Sequence, residues 1–521
     1  MQTWIQAEPR WGSAKLGYLR AGAIIGRSEK NAGTAGCAGG WYAIKPAGFV
    51  CIGEGAAVDS ENPIVKVTHH RRPDLEKPMP YRYGFIRAVA PQYLHVPTKQ
   101  EQLEHEFKLV PHLTYYAKHE AELNVIWPGA NDVPEADRGK PLVKPQISPD
   151  AAPTKGKAKK PKTDDDNDDG DDNDDEDEDT TAPISEKLSL LELFGADGPS
   201  ATQPWWLAGG DRAVPHLSSF VAPKYAVIAG RVKRHTGLAL IDAFQSSVES
   251  DNRKFAITTD LRLVPIDKLK PNVGSQWHGV DLNDSFTLPI AFSYSPEVKK
   301  DPKTRKSIKA YKIDGDKVTE DGTLFFRQAV ALTGKDRTVG GTRYFETKET
   351  PSRWLRKQDI IIARKPDEWP TFAKPGGGKW IDIGIIKQTL ILWEGDKPVF
   401  ATLISTGQDG IGDPKTTKST VRGTFRIRDK HVTTTMDANE VGNKFELRDV
   451  PWVQYFEAGY ALHAAYWHDV YGTPRSHGCV NISPIDARRV FFWTDPPLPP
   501  GWHGVLAGGD TAVGTVVYSH I

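Results

Sequence analysis

Ser476-His477-Gly478-Cys479-Val480-Asn481 is the stretch that decides what the C-terminal part of this chain can form. It contains Cys479, one of only three cysteines in 521 residues. A second histidine, His463, stands sixteen positions before Cys479 at the end of the run Gly459-Tyr460-Ala461-Leu462-His463. A thiol, an imidazole and a Gly-Cys backbone are the groups needed for acyl transfer through a thioester. We therefore take this stretch as the candidate active site.

The two catalytic candidates have complementary chemistry. A free thiol with a pKa of ~8.5 is mostly neutral at pH 7, and a nearby imidazole that takes its proton produces a thiolate–imidazolium pair. His463 lies in an apolar run that reads as a buried strand, so its ring would be held rigidly. We predict that Cys479 is the nucleophile, that His463 is the base, and that His477 orients or polarises the site.

The residues that flank Cys479 fit this chemistry. Gly478 allows a close backbone approach, and its N–H group together with the Cys479 amide would form an oxyanion hole. Ser483-Pro484-Ile485-Asp486 predicts the start of a helix, with Ser at the N-cap, Pro at the first helical position and Asp in the first turn.

Length and composition point to several mainly β domains. A chain of 521 residues exceeds one core, and abundant Gly and Pro with 10% aromatic residues favour short strands and turns. The formal net charge is zero, but residues 164–179 are almost entirely acidic, so the rest of the chain is basic. A basic body suits an anionic partner such as a cell-wall polymer or a nucleic acid.

The cysteine count and the N-terminus bear on the compartment. In an oxidising compartment Cys37 and Cys51 could pair and leave Cys479 free, although two buried unpaired thiols are an equally open alternative. No apolar stretch approaches the ~20 residues of a membrane span. The start, Met1-Gln2-Thr3-Trp4, has no signal-peptide pattern. Either the export signal is missing from this sequence or the chain is cytosolic.

Short aromatic or β-branched runs, divided by Gly and Pro, suggest small barrels of the SH3-like kind before the catalytic part. The acidic run cannot bury enough apolar surface to fold, and it lacks the ligand spacing of a calcium loop. We expect the accessory tryptophans to serve core packing, and we expect the polar stretch 430–447 to form a lid. The predicted regions are an SH3-like β module (1–100), a helical connector (101–127), a disordered charged linker (128–183), an SH3-like or mixed β accessory region (184–373), a catalytic domain (379–508) and a C-terminal tail (509–521).

The motif around Cys479, with His463 before it, resembles the signature of L,D-transpeptidases with the YkuD-type catalytic domain. The resemblance covers roughly residues 379–508. Three further segments are similar to this family: 419–425, 455–463 and 483–492. Val421 stands where the family usually has Pro, and Ala464 stands where it often has Gly.

The resemblance implies a YkuD-like β-sandwich with a short helix after the nucleophile, acting on peptidoglycan stem peptides. Cys479 would attack the carbonyl between the third residue of a stem tetrapeptide and the terminal D-alanine. D-Alanine would leave, and the side-chain amine of another stem would resolve the thioester as a 3→3 cross-link. Carbapenems would acylate the same cysteine, as they do in the family.

The resemblance also implies roles for the neighbouring residues. His477, Gly478 and the Cys479 amide would shape the oxyanion site, while Ser476 and Asn481 would support the loop. Tyr460 and Arg488 are the predicted substrate-binding residues. No cofactor, metal or nucleic acid is expected. Because family members are exported, we expect the periplasm or cell envelope as the location.

Four alternatives remain open at this point. Cys479 could be a buried structural thiol. A zinc site could use His463, His468, His477 and Cys479, although the usual paired-ligand spacing is missing and His468 reads better as a packed histidine. The chain could bind the wall without catalysis. Finally, the acceptor could be water or a protein amine, which would give stem trimming or the attachment or release of an envelope protein.

Overall fold

The computed structural model describes residues 2–53, 55–69, 72–123, 203–207, 223, 225–295, 306–437, 446–508 and 513–521. Strands far outnumber helices in this part of the chain, which confirms the mainly β prediction. The predicted linker (128–183) and the calcium alternative lie outside the described residues. The α-helices are α1 Pro63–His69, α2 Lys99–His105, α3 Leu109–Leu123 and α4 Pro484–Trp493.

The strands of the described residues fall into three sheets. In chain order they are β1 Gln2–Gln6, β2 Lys15–Arg20, β3 Trp41–Ala43, β4 Phe49–Cys51, β5 Arg82–Ile86, β6 Ala90–Tyr93, β7 Ile228–Val232, β8 Gly237–Gln245, β9 Lys254–Thr258, β10 Leu263–Pro265, β11 Leu269–Asn272, β12 Val280–Asp281, β13 Ile290–Ser293, β14 Ile308–Asp314, β15 Lys317–Leu324, β16 Ala329–Val339, β17 Thr342–Thr347, β18 Trp354–Arg356, β19 Ile360–Ala363, β20 Lys379–Gly384, β21 Thr389–Glu394, β22 Lys397–Leu403, β23 Gly423–Arg426, β24 Asp429–Asp437, β25 Glu446–Glu457, β26 Tyr460–Ala464, β27 Val480–Ile482, β28 Gly504–Leu506 and β29 Val516–His520.

A β-sandwich forms the C-terminal part of the molecule. Its first layer is a six-stranded sheet in the order β12-β22-β21-β20-β29-β23. The second layer contains β24 to β27, with α4 packed beside it, and the core between the layers is built from aliphatic and aromatic side chains of both. Helix α4 begins as predicted, because the Ser483 hydroxyl accepts the Asp486 N–H and Pro484 occupies the first turn.

The six-stranded sheet is covered on its other face as well. Since side chains alternate along a strand, Ile381 points into the sandwich core whereas its neighbour Trp380 points the opposite way. Trp380 and Trp393 stack there with ring centroids 5.2 Å apart, against the seven-stranded sheet β15-β14-β18-β17-β16-β13-β19. These tryptophans therefore serve core packing between two structural units.

One large sheet joins the N-terminal, middle and C-terminal units. Strand β2 pairs with β28 through Gly17 and Tyr18, and β25 pairs with β8 through Leu447. The accessory strands are thus hydrogen-bonded to the sandwich, and the units are connected by backbone pairing as well as by the chain.

The structure divides the chain differently from the predicted regions. Strands β5 and β6 pair with β8, β10, β11 and β7, so residues 82–93 belong with 228–272 across the linker. The expected C-terminal tail includes β29, which lies between β20 and β23 in the catalytic sheet. The expected lid begins as strand β24, paired with β25. Strand pairing is long-range, so local turn signals could not reveal these partners. The SH3-like character of the modules stays a prediction.

Cys37 and Cys51 form a disulfide, with Cα atoms 5.8 Å apart. This leaves Cys479 as the single free thiol of the three cysteines. Among the described residues, no helix is both long and apolar enough to cross a membrane.

Candidate active site

Two parallel strands place Cys479 and His463 on the same face of a sheet. Strand β26 pairs with β27 so that Leu462 is opposite Val480 and His463 is opposite Asn481. Side chains two positions apart point to the same face of a sheet. The Cys479 side chain therefore projects on the face that carries His463 and Asn481.

The sulfur of Cys479 lies against backbone and apolar groups. Sγ is 3.6 Å from the carbonyl oxygen of Gly459, and the Ala461 N–H contacts it. The side chain also packs against a cluster that includes Tyr455 and Tyr466. Burial raises the pKa of the Cys479 thiol, and the Ala461 N–H only partly opposes this effect. The resting side chain is therefore a neutral thiol at pH 7.

His463 is almost fully buried, with 2% of its surface exposed. Its ring stacks on Trp467, with centroids 5.5 Å apart, and Nδ1–H donates to the carbonyl of Ala464 at 3.3 Å. Burial lowers the pKa of His463 to about 4. At neutral pH the ring is uncharged, and the bond at Nδ1 leaves Nε2 as its proton acceptor.

The effect of burial on both pKa values argues against the thiolate–imidazolium pair that the sequence predicted. The predicted thiolate–imidazolium pair is disfavoured at rest, because burial penalises the charged form of both Cys479 and His463. The arrangement instead favours a neutral thiol beside a neutral imidazole. Proton transfer from sulfur to Nε2 would then accompany attack on a bound carbonyl.

The loop that carries Cys479 is held by its own serine. The Ser476 hydroxyl donates to the Cys479 carbonyl at 2.5 Å and accepts the Gly478 N–H at 3.1 Å. The Gly478 N–H is therefore occupied and does not supply the second donor that we expected for an oxyanion. The Cys479 amide remains the candidate donor from this part of the loop.

Gly478 is required by conformation and by space. Its φ of +128° lies in a region that side chains disfavour, and an added Cβ would come within 2.8 Å of the Tyr460 ring. The Tyr460 hydroxyl donates to the carbonyl of Pro414 at 2.9 Å. Tyr460 thus lies over the cysteine loop, and its role in substrate binding stays a prediction.

Thr420 was missed by the sequence analysis. Its hydroxyl donates to the Gly478 carbonyl at 2.8 Å and accepts the Gly407 N–H at 2.9 Å. Thr420 therefore links the cysteine loop to segment 405–408, which also pairs with Ser476. Segment 419–425 resembles the family in sequence, but nothing in its residue pattern predicts that Thr420 contacts the cysteine loop.

His477 is half-buried next to the cysteine. Burial lowers its pKa, and the positive charge of Lys418 acts in the same direction. The His477 ring is therefore uncharged at neutral pH, which is compatible with the predicted orienting or polarising role. Its assignment stays a prediction.

The structure places Arg488 away from its expected role. Its Nε donates to the Leu75 carbonyl at 2.6 Å, a terminal nitrogen lies 3.2 Å from the Glu76 carboxylate, and the guanidinium stacks over Phe492. These contacts attach α4 to the N-terminal part of the chain. Sequence reasoning could not foresee a partner that lies more than 400 positions away.

Asn481 and His468 meet behind the cysteine. The side-chain amide of Asn481 lies 2.9 Å from Nε2 of His468. Within the described ranges, no group of three His, Cys, Asp or Glu side chains is arranged to hold a metal ion. The zinc alternative thus has no ligand set in the part of the chain that the structure describes.

One family model and several solved structures are similar to part of this chain. Residues 378–518 match the family model of the YkuD L,D-transpeptidase catalytic domain. Solved structures with similarity include an L,D-transpeptidase from Stackebrandtia nassauensis (23% identity, 30% of this chain and 61% of that chain, TM-score 0.21). Others are the L,D-transpeptidases of Xylanimonas cellulosilytica (22%, 30% and 64%, 0.21) and Mycobacterium smegmatis (19%, 37% and 82%, 0.22).

The chain spans less than two thirds of the length of the first two of these structures. A search of curated proteins found no significant match. The family match includes both His463 and the motif from Ser476 to Asn481. The match of residues 378–518 to the L,D-transpeptidase catalytic domain confirms the resemblance that the sequence indicated.

Proposed function

We propose that this protein is a peptidoglycan L,D-transpeptidase that forms 3→3 cross-links through a thioester on Cys479. The observation that carries the proposal is the geometry inside the matched domain. The single free thiol of the chain follows a glycine loop and shares a sheet face with a buried, neutral histidine. That arrangement suits acyl transfer.

In the first half-reaction, Sγ of Cys479 attacks the carbonyl carbon between the third stem residue and D-alanine. Nε2 of His463 takes the thiol proton as the carbon–sulfur bond forms, and the Cys479 amide stabilises the oxyanion. The imidazolium then gives this proton to the leaving nitrogen. The carbon–nitrogen bond breaks, D-alanine departs, and a thioester remains.

In the second half-reaction, the side-chain amine of another stem attacks the thioester. His463 accepts a proton from the attacking nitrogen, and the carbon–sulfur bond breaks. The sulfur leaves with that proton as a thiol, so the resting neutral pair is restored. Water or a protein amine in the acceptor position would instead give a trimmed stem or a linked protein.

The proposed location is the periplasm or cell envelope. Disulfides persist in oxidising compartments, and Cys37 and Cys51 form one. Peptidoglycan, the proposed substrate, lies in the cell envelope. Both observations support an exported protein.

The test uses purified tetrapeptide muropeptides and mass spectrometry. The wild type should release D-alanine and yield a 3→3 dimer, while Cys479→Ala should yield neither. A carbapenem should add its mass to the wild type at Cys479 and leave the variant unchanged. The control is wild-type protein blocked with iodoacetamide, which modifies the same single thiol without changing the sequence.

Each alternative has its own signature in this assay. A tripeptide product without dimer would favour water as acceptor, and a mass increase on an added envelope protein would favour a protein amine. Retention of full activity by Cys479→Ala would refute the proposed nucleophile. Unchanged muropeptides together with wall binding by Cys479→Ala would favour a binding protein without catalysis.

A further inference from the structure

A buried ion pair joins the seven-stranded accessory sheet to the turn behind the cysteine loop. Nη1 and Nη2 of Arg327 lie 2.8 and 3.1 Å from the two carboxylate oxygens of Asp469. The two side chains are 0% and 2% exposed. The Ser275 hydroxyl also donates to Asp469 at 2.7 Å. The carboxylate in the catalytic domain is thus held by two groups that come from outside it.

Arg327 is itself held in an unusual conformation. It lies in the turn between β15 and β16 with a φ of +60°, a left-handed conformation that costs a non-glycine residue about 1 kcal/mol or more. Its guanidinium lies 4.7 Å from the Trp277 ring and 4.8 Å from the Phe326 ring. The surrounding structure therefore fixes Arg327 despite backbone strain.

Stability alone does not account for this ion pair. Removing two charges from water is costly, and a buried pair often contributes no more stability than apolar residues of similar size. Together with the strained backbone of Arg327, this points to a positional role.

His468, the residue next to Asp469, contacts the strand that follows Cys479. His468 contacts the Asn481 side chain at 2.9 Å, and the Val470 N–H approaches Nδ1 of His468 at 3.4 Å. Burial, helped by the charge of Arg475, lowers the pKa of His468 to about 3, so the ring is neutral. A neutral ring that accepts at Nδ1 carries its proton on Nε2, which then donates to an acceptor.

The Asn481 amide can meet this donor with its oxygen. Oδ1 of Asn481 is buried and otherwise has no partner among the described residues. Rotating the Asn481 side-chain amide by half a turn exchanges the positions of Oδ1 and Nδ2. In that orientation Oδ1 accepts a hydrogen bond from Nε2–H of His468. The backbone of Asn481 is already paired with Ser405 on one side and lies opposite His463 on the other.

We propose that Arg327 is a positioning residue, through which the accessory sheet sets the distance between Cys479 and His463. The ion pair holds Asp469 and the turn that contains it. His468 in that turn holds Asn481, and Asn481 fixes β27 against β26, where the base lies. This inference rests on the proposed function for its catalytic consequence, but its structural part is independent of the substrate.

The test compares Arg327→Met with Arg253→Met in the full-length chain. Arg253 is a buried arginine paired with Glu106 and Asp267, and its contacts lie within the accessory part. Both substitutions remove a buried ion pair and should lower the midpoint of thermal unfolding. Only Arg327→Met should lower kcat, by about 10- to 100-fold, with KM within about threefold of the wild type.

A second readout needs no peptidoglycan. Because Cys479 is the only free thiol, the pH dependence of iodoacetamide alkylation reports its pKa alone. A loosened loop exposes the sulfur, so Arg327→Met should lower the alkylation midpoint towards the ordinary thiol value of ~8.5 while catalysis slows. Arg253→Met should alkylate as the wild type does. Arg327→Lys, which keeps the charge but loses the two-pronged contact, should lie between.

The outcomes separate this inference from the proposed function. Identical alkylation profiles and kcat values for the wild type and Arg327→Met would overturn it. The wild type could show no transpeptidase activity while Arg327→Met still shifts the pH profile of alkylation. That result would support the positioning role of Arg327 and contradict the proposed function. If Arg327→Met does not fold, His468→Phe replaces it. Wild-type alkylation and kcat in that variant would overturn the inference as well.

Discussion

At the scale of single residues, the environment of Cys479 and His463 bears on how the proposed acyl transfer would run. His463 is buried and Cys479 is partly buried, and burial opposes charge on each. A ground-state ion pair would make the thiol reactive at all times. A neutral pair would keep the thiol unreactive until a carbonyl is bound. The proposed enzyme therefore depends on alignment of the thiol proton with Nε2 of His463.

The pH profile of the enzyme should reflect the low pKa of His463. Below its pKa the imidazole is protonated and cannot accept the thiol proton, so kcat/KM should fall as the pH drops through about 4. An ordinary histidine would place this acidic limb near ~6.5. The measurement is the rate of carbapenem acylation from pH 3.5 to 8, with folding monitored by circular dichroism at each pH.

A midpoint near the ordinary histidine value would contradict the assignment of His463 as a buried neutral base. His463→Gln provides the control, because its residual acylation should lack this limb. The loss of activity must also precede any loss of the circular dichroism signal, since other buried histidines such as His503 resist protonation too.

At the scale of elements, helix α4 holds the far side of the cysteine strand and is closed at both ends by specific groups. Ser483 caps its N-terminus. At its C-terminus Nζ of Lys430, fully buried, donates to the carbonyls of Phe491, Thr494 and Pro496 at 2.6 to 2.9 Å, and burial lowers the pKa of this lysine to about 7. The last carbonyls of a helix have no partners within the helix, so this lysine satisfies groups that burial would otherwise leave unpaired.

Replacing Lys430 by Met should therefore destabilise the protein by about 3 kcal/mol, because the carbonyls of Thr494 and Pro496 lose their donor and the carbonyl of Phe491 keeps only the Thr494 hydroxyl. Urea unfolding followed by tryptophan fluorescence measures the change. Lys379→Met is the matched control. Lys379 donates to the Trp493 carbonyl at the same helix end, but its side chain is 36% exposed, so water can replace it. Equal losses in the two variants would contradict this account.

At the scale of the whole molecule, one buried carboxylate connects three parts of the chain. Asp449 of β25 accepts hydrogen bonds from Arg20 of the N-terminal unit, from Thr259 of the middle unit and from Thr433 of β24. Burial alone would raise its pKa, but Arg20 and the two hydroxyls outweigh burial and lower it to about 2. The units should therefore unfold together.

Arg20→Met should cost about 3 kcal/mol or more, because it leaves the Asp449 carboxylate buried without its counter-charge. The wild-type contribution of Asp449 is present above pH ~4 and is lost as the pH falls towards 2, since its folded pKa lies below the unfolded value of ~3.9. Urea unfolding at pH 7 and pH 3 measures both effects.

The control for this prediction is Arg10→Met, which removes an exposed pair with Glu8 and should change stability by less than about 1 kcal/mol. Two separate unfolding transitions in the wild type would contradict the expected coupling between units. An unchanged difference between pH 7 and pH 3 in Arg20→Met would contradict the pKa argument.

The sequence by itself determined the features that depend on neighbouring residues. The cap of α4 at Ser483 follows from side chains within four positions of one another. The motif from Ser476 to Asn481 and its upstream histidine carried the resemblance to the L,D-transpeptidase catalytic domain, and short aromatic or β-branched runs divided by Gly and Pro indicated a mainly β chain. Each of these signals is local, because a turn, a cap or a strand face is set by spacing along the backbone.

Only the tertiary structure decided the features that depend on distant partners. The Thr420 hydroxyl reaches the Gly478 carbonyl across 58 positions, and Arg488 is turned towards Leu75. The C-terminal strand β29 completes the catalytic sheet, and Arg327 reaches the turn behind Cys479. The physical reason is the same in each case. Burial, strand pairing and the pKa of a buried group depend on which surfaces meet, and the spacing of residues along the chain does not encode that.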